Sequence, residues 1–213
     1  MIDLSQYEQK VLSQHGEDGI TLQLFKLLGT TNRYYLELGA SATEGCTNIF
    51  WNKNWKGLVI DAQHITNVPS VSIVITKENI NGVLQSQQVP HQPDFCSIDL
   101  DYNTYWIWEA LEYRPRVLCI EYNGFFAPEV EAIVRYNPNK SWDGGSYFGA
   151  SLLSLHKLAR RRNYSLVYCE NSGTNAYFVL DECIKDLQFV NINNIQLLWK
   201  PLCWANDNIW CVH

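Results

Sequence analysis

From residue 13 to about residue 165, apolar runs of strand length alternate with stretches whose apolar positions recur at helical spacing. That alternation predicts βα units, hence a parallel sheet with helices on its faces. A first helix spans "SQHGEDGITLQLFKLLG" and stops at Gly29, a residue suited to a helix C-terminus. "RYYLELGA" is the first strand. A short helix near "TNIFWNKN", a strand "GLVID", a strand "VSIVIT" and a helix opening at "KENINGVL" follow. "DFCSIDLDYNTYWIWEAL" begins as a fourth strand and turns helical at "NTYWIWEAL", and "PRVLCIEYN" is the fifth strand.

Further on, "YFGASLLSLHKLARR" places Phe148, Leu152, Leu155 and Ala159 on one helical side. Two strands, "YSLVYCE" and "NAYFVLD", are joined by "NSGT", which has hairpin-turn chemistry. The predicted fold is therefore α/β: a mostly parallel, doubly wound sheet closed by an antiparallel C-terminal hairpin. A length of 213 residues suits one core. We read a single domain over 1–213, with 1–12 as an N-terminal extension. The aromatic-rich tail, 190–213, is expected to pack on the domain or on a partner.

Charge narrows the partners. A net charge of −6 without a long basic block gives nucleic-acid binding little electrostatic support. The seven cysteines (46, 96, 119, 169, 183, 203 and 211) are an odd set with no CxxC pair, which reads as buried thiols in a reducing compartment. The opening "MIDLSQYEQK" has no apolar signal region, and no run reaches the roughly 20 apolar residues that a membrane span needs. A cytoplasmic protein is expected.

In open sheets of this kind, ligands bind beyond the carboxyl ends of the strands. The residues there are Glu37, Gly39, Ala40 and Ser41 after the first strand, Asp61 after the second, Asn79 past the third, Asp99 with Asp101 after the fourth, and Glu121 with Asn123 at the fifth. Acids at these positions are poor hosts for a pyrophosphate, and "ELGASATEG" lacks the GxGxxG of dinucleotide-binding loops. Asp61 has the place and type of a group that accepts hydrogen bonds from ribose hydroxyls, and Gly39 lets a cofactor pass close to the backbone. A cationic nucleoside without phosphate, S-adenosylmethionine, fits this set.

Seven stretches, "SQHGEDGI", "YYLELGA", "NIFWNKNWKGLVID", "DFCSIDLDYNTYWIWEAL", "RPRVLCIEYN", "SWDGGSYFGASL" and "LVYCENSGTNAYFV", together resemble the FkbM-like S-adenosylmethionine-dependent methyltransferases. The resemblance covers roughly residues 11 to 180. It is strongest to the sugar O-methyltransferase domains of large DNA viruses of algae (the chlorovirus type), where such a domain follows rhamnosyltransferase domains. It implies a Rossmann-like class I methyltransferase fold, with cofactor held by the loop after strand one and the acid after strand two. It also implies a glycan acceptor carrying rhamnose, and fusion to or association with glycosyltransferase domains. Gln14 and Asn48 lie in matching motifs and enter as cofactor contacts on that ground. The chain departs from the family pattern at "SATEG" after "GA", where an acid and a glycine are usual, and at Tyr102, where glycine is usual.

Methyl transfer from a sulfonium is an in-line displacement, so positioning the acceptor oxygen is the first demand. A sugar hydroxyl also holds its proton at neutral pH and needs a base or a metal. Alternation along strands puts Asp99 and Asp101 on one side of strand four, facing Glu121 and Asn123 on strand five. These four suit a hard divalent cation such as Mg²⁺, Mn²⁺ or Ca²⁺. Without metal, mutual repulsion would make one carboxylate a base. His15 is a further candidate base. Trp142, Tyr147 and Phe148, set among glycines, suit a loop that stacks on a sugar or on the cofactor. A nicotinamide-dependent oxidoreductase, and a non-catalytic module docking onto glycosyltransferases, are the competing readings.

Overall fold

The computed structural model describes residues 1–40, 44–51, 53–66 and 68–203. Its strands are β1 (Tyr34–Leu38), β2 (Lys56–Asp61), β3 (Ser70–Ser72), β4 (Phe95–Ile98), β5 (Val117–Glu121), β6 (Tyr164–Cys169) and β7 (Asn175–Leu180). They form one seven-stranded sheet in the order β3-β2-β1-β4-β5-β7-β6. β1 to β5 pair in parallel, while β7 runs antiparallel to both β5 and β6. This is the Rossmann-like class I methyltransferase architecture, with its antiparallel C-terminal pair. The sheet order reverses beside β1, which opens a crevice over the ends of β1 and β4.

The strands are buried on both faces, and their alternation sorts the core into two layers. Tyr35, Val59, Phe95, Val117 and Tyr177 pack on one face with Ile20 and Leu24 of α1 (Glu17–Leu28). Leu36, Ile60, Ile98, Leu118 and Phe178 pack on the other. That second face is covered by α2 (Ile80–Ser86), α3 (Thr104–Ala110) and α4 (Leu152–Arg161).

Several elements are shorter than expected. α1 begins at Glu17 rather than residue 13, because Asp18 turns back as an acceptor. Its Oδ2 takes the backbone N–H groups of Val11, Leu12 and Ser13 at 2.7, 2.6 and 2.8 Å and holds 11–13 out of the helix. The segment near "TNIFWNKN" makes only a 3-10 turn, Asn48–Phe50. β3 ends at Ser72, since the side chains beyond it leave the sheet edge: Val74 is exposed. α4 starts at Leu152 because Ser151 accepts from the Ser154 N–H at 3.3 Å and caps it. Residues 147–150, expected in that helix, precede it, and Phe148 lines the site described below.

The N-terminal residues belong to the same body: Leu4 is buried and Ile2 bridges to Phe189. The tail packs on the domain as far as it is described. Helix α5 (Ile195–Leu198) buries Ile195 and Leu198, and the Leu202 N–H donates to the Gly124 carbonyl at 3.2 Å. The rest of the expected tail, 204–213, lies outside the described residues. Cys46, Cys96, Cys119, Cys169 and Cys183 are free thiols, but Cys203 is disulfide-bonded, so the all-thiol expectation does not extend to it. No helix among the described residues is long and apolar enough to cross a membrane.

Candidate active site

The crevice starts where β1 stops. Gly39 has φ +77°, and a Cβ there would sit 1.7 Å from the Asp99 carbonyl oxygen. Only glycine lets the ends of β1 and β4 approach this closely. The next residue ties β1 to β2, as the Ala40 N–H donates to Asp61 Oδ2 at 3.1 Å while Asp61 Oδ1 takes the Gln63 N–H at 2.7 Å. Two residues before Gly39, Glu37 is buried and accepts the Thr47 hydroxyl and the backbone N–H groups of Cys46 and Thr47. Burial outweighs these bonds and pushes its carboxyl up to about 7.

Glu37, Gly39, Ala40, Cys46 and Asp61 line a chamber of about 230 Å³ together with Glu17, Glu44, Asp99, Asp101 and Asn175. No lysine, arginine or histidine lines it among the described residues. Glu17 reaches it through a bond from Asn175 Nδ2 to its Oε1 at 2.9 Å, across 158 residues of chain.

At the chamber's open side stands the carboxylate cluster. The Asp99 N–H continues the β1–β4 ladder by donating to the Leu38 carbonyl at 2.8 Å. Asp101 follows in a left-handed conformation, φ +51°, which the short acidic side chains tolerate better than most. Asp99, Asp101 and Glu121 each offer one oxygen, and all three oxygens lie within 4.8 Å of one another. Burial first and the Asp101 charge second raise the Asp99 carboxyl to about 6. Glu121, buried, is held well above its ordinary value by desolvation and then by Asp99 and Asp101. Asp99 and Glu121 act on each other directly, which lowers the Asp99 carboxyl and raises the Glu121 one. Thr104 backs the pair: its hydroxyl faces Glu121 Oε2 at 3.5 Å and accepts the Leu100 N–H at 3.1 Å.

Beyond the cluster opens a second chamber of about 480 Å³. Gln14, Glu44, Asp99 and Asp101 line both, so the carboxylates stand where the two meet. One wall of the larger space is apolar, built from Tyr122, Trp142, Phe148 and Leu202. Lys10 and His15 lie on the rim, with Lys10 Nζ 3.1 Å from Glu44 Oε1.

The structure thus brings Gln14, His15, Glu37, Gly39, Ala40, Asp61, Asp99, Asp101 and Glu121 to one bipartite cavity. Three other expected residues go elsewhere. Asn48, a predicted cofactor contact, is buried behind Gly45, whose Cβ position would lie 3.0 Å from Asn48 Oδ1. Asn79, predicted to touch cofactor, spends its amide on a turn, accepting from the Thr76 N–H at 2.8 Å and donating to the Val74 carbonyl at 2.9 Å.

Asn123, predicted as a metal ligand, is fully committed: its Nδ2 donates to the Ser146 and Phe148 carbonyls, both at 2.9 Å, and its Oδ1 accepts the Phe125 N–H at 3.1 Å. Ser41 lies outside the described residues. Sequence reasoning missed Lys10, Glu44, Tyr122, Asn175 and Leu202. A signal existed only for Tyr122, whose neighbour Glu121 was already singled out.

No protein-family model matches the chain, and no curated protein matches it. Among solved structures it is similar to the N-terminal domain of EvdMO1 with SAH bound, at 12% identity and a TM-score of 0.43, over 79% of this chain and 80% of that one. At that distance, the function rests on the geometry above.

Proposed function

We propose that this chain is an S-adenosylmethionine-dependent O-methyltransferase that modifies a sugar hydroxyl of a glycan, with a rhamnose unit as acceptor. The observation that carries the reading is the meeting of two chambers at Asp99 and Asp101. One is acid-lined with no basic group among its described residues, and the other is walled by aromatics.

The acid-lined chamber fits the proposed cofactor by its donor and acceptor set. Asp61 presents carboxylate oxygens at the end of β2 for ribose hydroxyls, and the carboxylates of Glu17, Glu37 and Asp99 favour a cationic ligand. The same set repels a diphosphate, which weighs against a nicotinamide dinucleotide. When bound, S-adenosylmethionine supplies a methyl group activated by its sulfonium.

The chain's own contribution is to place the acceptor and move its proton. Trp142, Phe148 and Tyr122 offer flat apolar surface to one face of a sugar, while the cluster meets its hydroxyl edge. Asp99, Asp101 and Glu121 would hold a divalent cation, Mg²⁺ or Mn²⁺, which acidifies a hydroxyl brought against it. The closeness of the three carboxylates, with Asp99 and Glu121 raised by burial and mutual repulsion, favours a second reading, in which one of them takes the hydroxyl proton without metal.

Calorimetric titration with S-adenosylhomocysteine tests the first half of the proposal: binding is expected, and no heat together with no thermal shift refutes it. Mass spectrometry of a panel of synthetic rhamnosides incubated with cofactor tests the second half, the expected product being heavier by one methylene. Turnover that survives exhaustive EDTA treatment selects the metal-free base.

A further inference from the structure

Between the end of β5 and the start of α4 the chain makes an excursion, 122–151, that contains no helix or strand beyond an isolated bridge from Ile133 to Ala150. A connection this long inside a compact domain is uncommon and is often functional. It carries Trp142 and Phe148 to the larger chamber, so something must fix that wall against the carboxylates.

Three consecutive residues at the β5 tip divide the work. Glu121 joins the carboxylate cluster. Tyr122 donates its hydroxyl to the Lys200 carbonyl at 2.8 Å and so holds the segment that brings Leu202 to the chamber. Asn123, wholly buried, reaches into the excursion: two donors to the Ser146 and Phe148 carbonyls and one acceptor from the Phe125 N–H, while its own N–H donates to the Ala150 carbonyl at 2.8 Å. Both N–H groups of the side-chain amide are used, and they grip the two carbonyls that flank Tyr147.

We infer that Asn123 is a positioning residue for the acceptor: its amide sets the Trp142–Phe148 wall at a fixed distance from the Glu121 carboxylate two residues before it. This inference rests on the larger chamber being the acceptor site. Asn123 touches neither chamber, so its loss should loosen acceptor binding without altering cofactor binding.

Asn123→Asp is the sharpest variant. It is isosteric and keeps the acceptor for Phe125, but when ionised it takes away both donors and sets a charge against two carbonyl oxygens. With methyl α-L-rhamnopyranoside as acceptor, KM is expected to rise about tenfold or more, with kcat at saturation within about twofold of wild type. Titration should show S-adenosylhomocysteine affinity within about twofold of wild type. Deuterium exchange should quicken in 142–150 and stay unchanged in β1 and β4.

An unchanged KM with unchanged exchange overturns the inference. So does a joint fall of kcat and cofactor affinity, which would mark general damage. A wild type that binds S-adenosylhomocysteine but methylates no rhamnoside sinks the sugar reading, and exchange then decides the tether alone. If the variant does not fold, side-chain amide exchange in ¹⁵N-asparagine-labelled wild type decides it: protected Asn123 protons support the tether and freely exchanging ones overturn it.

Discussion

In chelator-treated protein, Asp99→Asn removes one of three carboxylates whose oxygens lie within 4.8 Å of one another. Asparagine keeps the shape, can still accept the Asp101 N–H, and can donate to Glu121. Folding raises the Asp99 carboxyl from 3.8 to about 6, chiefly through burial and then through the Asp101 charge. A carboxyl raised on folding contributes stability that is full below its unfolded value and is lost as pH climbs through its folded one. About two pKa units correspond to about 3 kcal/mol, lost from the wild type between about pH 4 and pH 6.5. Glu37, raised to about 7, titrates in both proteins, but the Asp99 charge is among the causes that raise it, so the variant relieves Glu37, and Glu121 with it, in the same direction.

Urea unfolding can be followed through the eight tryptophans of the chain. Near pH 4 the two proteins should be about equally stable, and at pH 7.5 the variant should be the more stable by up to about 3 kcal/mol. Adding Mn²⁺ at pH 7.5 should restore the wild type alone, by about 2.7 kcal/mol at a hundredfold excess over Kd. A difference that stays flat from pH 4 to 7.5, or a variant less stable at the upper end, would show that the cluster is not under the strain described.

Other perturbations have separate signatures. Gly39→Ala would drive a Cβ to 1.7 Å from the Asp99 carbonyl in a left-handed backbone. It should cost about 3 kcal/mol or more in urea unfolding and weaken S-adenosylhomocysteine binding in calorimetry. Asp101→Ala should abolish methyl transfer while leaving that binding largely intact, so loss of both would place Asp101 among the cofactor's supports. Asp94 is buried and accepts from Arg116 Nη1 at 2.7 Å and from the backbone N–H groups of Thr31, Asn32 and Arg33. Although burial opposes it, the Arg116 bond and these donors hold its carboxyl below 3.8. Its stabilisation is thus present above the unfolded value and lost as pH falls through the folded one. Asp94→Asn should cost about 3 kcal/mol at pH 7, and less once the pH has fallen below the folded value, by denaturant midpoint at each pH.

The sheet was legible because its strands carry their own signal: near-continuous apolar runs punctuated by turn residues. The convergence of Asp99, Asp101 and Glu121 was legible for the same reason, since they cluster at the tips of neighbouring strands. The alternation argument failed at Asn123 because β5 ends at Glu121, and past that point the backbone no longer dictates which way a side chain leans. Asn79 was misplaced because β3 stops early and its amide serves a local turn instead. Glu17 with Asn175, and Lys10 with Glu44, are pairings between distant segments, and only the folded chain brings them together. The apolar wall was half visible: Trp142 and Phe148 stand out among glycines, but nothing local says that Tyr122 and Leu202 complete it.

The placement of Asn123 and Ser151 at either end of the excursion has an evolutionary corollary. They act as posts that tie the excursion to the end of β5 and the start of α4, while its middle is held through Val134 and Asn137 to Trp106 and Asn103 of the α3 segment. Under the proposed function, grafting a different stretch between those posts is a route to new recipients with the acid-lined chamber kept as it is.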